Sequence, residues 1–159
     1  FGVWLVKRFP VACILVAFLS ISSGCGPSDG LSRVPVKGKL TLEGKPLERA
    51  LVRFVPTGGT KGYGGSAVTE TDGSFVLQDD RGHSGGVVPG EYIVSVSKLT
   101  RPDGSSLPAK PTEEDFQGAK ETMPSNITSA DNSPLRHTVS EKGGEANVDI
   151  SASMMKKTR

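Results

Sequence analysis

The sequence predicts an all-β protein, a seven-stranded antiparallel β-sandwich, on three observations. Apolar and polar residues alternate in short runs, which is the period of a strand with one buried face. Turn residues separate those runs, and the 159-residue chain holds 20 glycines and 11 prolines, a composition suited to hairpins and loops. No window carries the i, i+3, i+4 apolar stripe of an amphipathic helix.

A segment of different character precedes the sandwich. Lys7 and Arg8 are followed by an apolar run from Phe9 to Leu19 and then by Ser20-Ile21-Ser22-Ser23-Gly24-Cys25. A charged start, a short apolar centre and a small-residue exit read as a secretory signal peptide. The run is too short to span a bilayer, which takes about 20 residues. Extending it back to Val3 would place Lys7 and Arg8 in the span, at about 2.5–3.5 kcal/mol each if central. Ser23-Gly24-Cys25 resembles the end of a bacterial lipobox, although Ser22 stands where leucine is usual. The resemblance implies that the Cys25 thiol receives a diacylglycerol, that cleavage falls just before it, and that an acyl chain such as palmitate completes the anchor. Cys13 lies in the apolar run and would leave with it. The sequence starts at Phe1 rather than methionine, so a few further residues are expected upstream. The expected organisation is a signal peptide over 1–24, a lipidated tether over 25–33, a sandwich over 34–151 and a flexible tail over 152–159.

The element pattern follows in chain order. Val34, Val36, Leu40 and Leu42 fall on one face of a first strand, with Lys37, Lys39 and Thr41 on the other; Pro35 gives no ladder hydrogen and marks an edge. Glu43-Gly44-Lys45-Pro46 is a turn. A second strand, Ala50 to Pro56, turns Val52 and Phe54 inward and Arg53 outward. The loop Thr57 to Gly65 is glycine-rich but lacks the lysine and hydroxyl residue of a phosphate-binding loop. Ser66 to Thr71 and Ser74 to Gln78 flank the hairpin signal Asp72-Gly73, with Phe75 and Leu77 on one face. After the connection Asp79 to Pro89, Tyr92, Val94 and Val96 alternate with Glu91, Ser95 and Ser97 along Gly90 to Lys98. Residues 99–133 form a long loop, with no helical stripe, of a length that usually means function or disorder. Leu135 to Val139 and Glu145 to Ser151 close the chain, with Ala146, Val148 and Ile150 inward.

Four motifs in this order resemble the carboxypeptidase regulatory-like domains of small bacterial lipoproteins: Gly38 to Leu47 with Ala50 to Pro56, Thr71 to Leu77, Pro89 to Val96, and Met123 to Leu135. The resemblance covers Val34 to Ile150. It implies a transthyretin-like or immunoglobulin-like sandwich without catalytic residues of its own. A hydrolase of purine breakdown shares the transthyretin-like fold, but its paired histidines and C-terminal tyrosine motif are missing from a chain that ends Met154-Met155-Lys156-Lys157-Thr158-Arg159.

Composition narrows the function further. Lys7 and Arg8, two of the 19 basic residues, leave with the signal peptide, so 17 basic face 17 acidic residues in the remainder. A balanced chain with few aromatics offers no footprint for nucleic acid. With Cys25 acylated no disulfide can form, and zinc would need more nitrogen and sulfur ligands than two histidines supply. His137 shares a face with Leu135 and Val139 and reads as a core or rim histidine. His83, in a glycine-flanked loop with Asp79 and Asp80, could give weak metal ligands, and Asp72 with Asp79 and Asp80 could contribute to a calcium site. Asn126-Ile127-Thr128 matches a glycosylation sequon that a bacterial lipoprotein leaves idle.

The expectation is therefore a non-enzymatic, lipid-anchored protein of the cell envelope, facing the periplasm or attached to the outer membrane, acting as a structural or protein-interaction module with no cofactor. Its partners would be the membrane, through the N-terminal lipid, and an envelope protein or glycan. The alternative is a carbohydrate- or calcium-binding module using the loops 57–65, 79–89 and 99–133, where Tyr63 and Phe116 are the aromatics available.

Overall fold

A computed structural model describes residues 29–156. The signal peptide and Cys25 lie outside the described residues. Strand outweighs helix 38% to 5%, in keeping with an all-β chain.

The strands are short: β1 (Val36–Leu42), β2 (Lys45–Pro46), β3 (Leu51–Thr57), β4 (Gly65–Val68), β5 (Ser74–Val76), β6 (Gln78–Asp79), β7 (Gly90–Ser97), β8 (Leu99–Thr100), β9 (Lys120–Glu121), β10 (Arg136–Val139), β11 (Gly144–Glu145) and β12 (Val148–Ile150). One sheet is built around β1, which pairs with β5 along its first half and β2 along its second on one side, and with β11 and β12 on the other. The other runs β10-β7-β3-β4-β6. A two-stranded ribbon, β8 with β9, stands apart.

One departure from the expected antiparallel pattern is clear. β1 pairs parallel with β11 and β12, Leu40 opposite Val148 and Leu42 opposite Ile150. Alternation cannot foresee this, because a strand that buries every second residue presents the same face in either direction. Between β11 and β12 the Asn147 side chain takes over from the backbone, its Oδ1 accepting the Lys39 N–H at 3.0 Å.

The turns obey local stereochemistry. Glu43 and Gly44 carry φ of 52° and 75°, the double positive φ of a two-residue hairpin whose twist matches its strands. In the next turn Gly73 alone takes positive φ, 77°, and Asp72 Oδ1 accepts the Ser74 N–H at 3.0 Å.

The inward positions of both sheets meet in a single apolar cluster. Val36, Leu40, Val148 and Ile150 come from one sheet; Val52, Phe54, Tyr92, Val94 and Val96 come from the other. Phe54 is central, its ring 6.4 Å from Phe75, 5.8 Å from Tyr92 and 5.6 Å from His137. The buried Thr69 belongs to this layer without leaving a polar group idle: Oγ1 accepts the Ala50 N–H and donates to Leu47 O.

Residues 99–133 contain more structure than their polar sequence suggests. Besides the β8–β9 ribbon they hold a 3-10 turn, Glu114–Phe116, and the one-turn helix α1, Ser125–Thr128. Ile127 of α1 is fully buried and Met123 nearly so. The end of the chain closes over them: Met154 and Met155 pack on the core, and Asn126 Nδ2 donates to Met154 O at 2.9 Å.

Candidate functional site

The strand registers give the body two ends. β3 and β7 run side by side, with Leu51 opposite Ser97 at one end and Thr57 opposite Glu91 at the other. The 99–133 segment gathers at the first end. At the second lie the loops 57–65 and 79–89 and the incoming segment 29–35, which joins through a bridge between Val34 and Val87.

That second end is fastened by charge. Arg33 Nε donates to Asp79 Oδ2 at 2.9 Å, and the two side chains are 6% and 1% exposed. The two Nη groups of Arg33 reach the Asp29 carboxylate at 2.9 and 2.6 Å. Asp79 Oδ1 also accepts the Arg81 N–H at 2.9 Å. His83 Nδ1 lies 2.8 Å from Asp79 Oδ1 and 3.1 Å from an Arg33 Nη. Which contact is a hydrogen bond depends on the tautomer: with a proton Nδ1 donates to Asp79, and without one it accepts from Arg33.

The electrostatics follow from this geometry. Burial pushes the Asp79 carboxyl upward, but hydrogen bonds from His83, Arg33 and the Arg81 N–H outweigh it and hold the group at about 2. Asp29 is held well below the usual carboxylate range by its bonds from Arg33 and the Leu31 N–H. The Asp29 carboxylate in turn raises Arg33 above its ordinary value, against the effect of burial. Isolated buried charges are expensive, whereas Asp79 is ion-paired with Arg33 and hydrogen-bonded, the condition under which burial is tolerated.

The other carboxylates considered for calcium are separated into local tasks. Asp72 serves its hairpin, and Asp80 accepts the Ser66 hydroxyl at 2.6 Å. Among the described residues no group of three His, Cys, Asp or Glu side chains is placed to hold a metal ion. His137 sits at the rim of the core against Phe54, and burial pushes its imidazole pKa down. Tyr63 and Phe116 are about half exposed and lie at opposite ends, Tyr63 beneath the Arg81 guanidinium at 4.1 Å from the ring centroid.

Two concavities among the described residues are relevant here. A groove of about 580 Å³ crosses β1, β4 and β5, lined by Phe75, Val68 and Val76 together with Lys37, Glu70 and Asn147. A smaller apolar cleft of about 180 Å³ lies between the outer face of β3 and β4 and the 99–133 segment, bounded by Leu51, Leu107 and Phe116. The groove sits on strands, not on the three loops singled out from sequence. Sequence reasoning also passed over Asp29 and Arg33, because nothing local distinguishes an arginine about to be buried from one in a polar tether.

No family model matches this chain, and no curated protein does. Among solved structures, a crystal structure of a 9R-lipoxygenase from Cyanothece PCC8801 aligns with 80% of this chain at 15% identity and a TM-score of 0.33. The match spans 17% of the lipoxygenase chain, and at that score it carries no argument about fold or activity. Among the described residues no helix is long and apolar enough to cross a membrane.

Proposed function

We propose that this protein is a non-enzymatic envelope module, anchored by lipid on Cys25 and built as a carboxypeptidase regulatory-like sandwich. The observation that carries the reading is the junction between anchor and body. Asp29, four residues beyond Cys25 and itself exposed, is already tied by Arg33 to the buried Asp79. A chain fastened so soon after its lipidation site suits a body held close to a bilayer.

The sandwich reading rests on the shared core between the sheets and on counting β5 with β6, and β11 with β12, as continuous strands. That gives seven principal strands: β1, β3, β4, β5–β6, β7, β10 and β11–β12. The non-enzymatic reading rests on Asp79. A carboxylate that orients a histidine is part of many catalytic arrangements, but here Arg33 cancels its charge and locks the pair into the fold.

Mass spectrometry of the N-terminal peptide, with and without globomycin, tests the anchor. Acylation at Cys25, with accumulation of uncut acylated precursor under globomycin, is the expected result. An unmodified Cys25 in the native host overturns the proposal.

A second reading, a glycan-binding module, is favoured by the groove over β1, β4 and β5. Its volume lies within the range of ligand sites, and both polar and apolar side chains line it. Saturable binding of an envelope glycan that Val76→Asp abolishes would support it; unchanged binding by that variant would remove it.

A further inference from the structure

We infer that the end of the body bearing Lys61, Tyr63 and Arg81 is seated on the membrane surface, where these side chains engage the phosphodiester headgroups of phospholipids. This inference rests on the anchoring proposed above and adds an orientation and a contact surface to it.

Chain length comes first. Four residue steps separate Asp29 from Cys25, and even fully extended they reach only about 14 Å. Asp29 is itself fixed, through Arg33, to the buried Asp79. Whatever path those few residues take, Asp29 stays within that distance of the acylated cysteine.

The position of the loop follows. A Cβ placed on Gly62 would lie 3.1 Å from Val88 Cγ2 and 3.7 Å from Leu31 Cδ1. The incoming segment and the loop 57–65 are therefore neighbours. Leu31 thus lies beside the loop that carries Lys61 and Tyr63, not at the far end where Phe116 is exposed. β3 alone separates those ends by seven residues, about 20 Å at the usual rise of a strand.

The chemistry suits a headgroup layer. Tyr63 is 54% exposed, and tyrosine favours the membrane interface because its ring is apolar and its hydroxyl stays wet. Arg81 stacks on that ring at 4.1 Å, which leaves its planar donors free for phosphate oxygens. Lys61, exposed two residues away, adds a second cation. Of the nearby acids, Asp79 and Asp29 share Arg33, while Asp80 accepts the Ser66 hydroxyl and keeps its charge beside Arg81. Glu91 is drawn to the base of the loop, its Oε2 2.3 Å from where a Cβ on Gly58 would stand.

The test uses the full chain, processed by its host and reconstituted into vesicles of phosphatidylethanolamine and phosphatidylglycerol with brominated acyl chains. The chain's single tryptophan is Trp4, within the expected signal peptide. Tyr63→Trp thus places one reporter at the proposed contact, and Phe116→Trp places one at the far end. A ring seated about 5–10 Å into the headgroup boundary should lose more than half its emission, while the distant reporter keeps its own. Adding Lys61→Ala and Arg81→Ala to the Tyr63→Trp chain should at least halve that quenching. If Cys25 is acylated and the two reporters are quenched equally or not at all, the orientation is wrong and the anchor survives. An unacylated Cys25 overturns both.

Discussion

The body's two ends are closed by opposite chemistries. Near residue 29 the seal is ionic: Arg33 pairs with Asp29 and with the buried Asp79, which His83 also contacts. At the other end the plug is apolar, with Ile127 and Met123 buried and Met154 and Met155 laid over the same core. The apolar plug tolerates changes of pH and loses stability in proportion to the volume removed. The ionic seal needs every member present, because removing one leaves a charge buried without its counterpart. Under the anchoring proposed above, the ionic seal lies at the end of the body where the described chain begins, and its bonds are directional as apolar contacts are not.

The sharpest way to break the contrast is to substitute the carboxylate. Asp79→Ala should cost about 3 kcal/mol, measured by denaturant unfolding, because it strips the acceptor from buried donors of Arg33 and Arg81 while Asp29 still pairs the guanidinium. Asp79→Asn should recover part of that, since it can still accept the Arg81 N–H. A loss below about 1 kcal/mol for Asp79→Ala would mean that the cluster is solvated like a surface pair. At the other end, Ile127→Ala should cost about 3 kcal/mol through lost burial and a residual cavity. The two substitutions touch different ends and share no partner, so their effects should add to within about 0.5 kcal/mol.

Acid distinguishes the ends next. The Asp79 carboxyl sits at about 2 in the folded protein against an ordinary value of 3.8. A carboxyl depressed by folding contributes stability that is complete above its unfolded value and disappears as pH falls through its folded one. The window is therefore pH 4 down to 2, and the contribution lost is about 2 kcal/mol. Wild type should lose this increment in that window, while Asp79→Asn shows a shallower profile there and Ile127→Ala keeps the wild-type slope.

How much of this was legible beforehand depends on whether the signal is local. The inward faces of β1, β3, β7 and β12 follow directly from alternation: Leu40, Phe54, Val94 and Ile150 are all fully buried. Gly44 and Gly73 announced their turns because positive φ is a property of a single residue. The parallel course of β12 beside β1 was hidden, since direction leaves no trace in a period of two. α1 was hidden for another reason: one turn carrying one buried isoleucine is too short to display a helical stripe. Of the ionic seal, Asp79 and His83 stood out by proximity in sequence, whereas Arg33 lies 46 residues from Asp79 and could be paired with it only by the fold.

The smallest expected effect is the response to calcium, and it decides whether the ionic end holds the chain or binds a ligand. Calcium takes six to eight oxygen ligands. The Asp79 oxygens are already engaged by Arg33, His83 and the Arg81 N–H, and Asp80 and Asp72 are turned to Ser66 and Ser74. For calcium to enter, the Arg33 bond must break, which sets the ion against the seal rather than beside it. Calcium at about 1 mM should therefore move the melting temperature by less than about 1 °C, because an ion with no site in the folded state adds no linkage term. A rise of several degrees that vanishes in Asp79→Asn would show that the carboxylate exchanges its arginine for a metal, and the ionic end would then be a binding site.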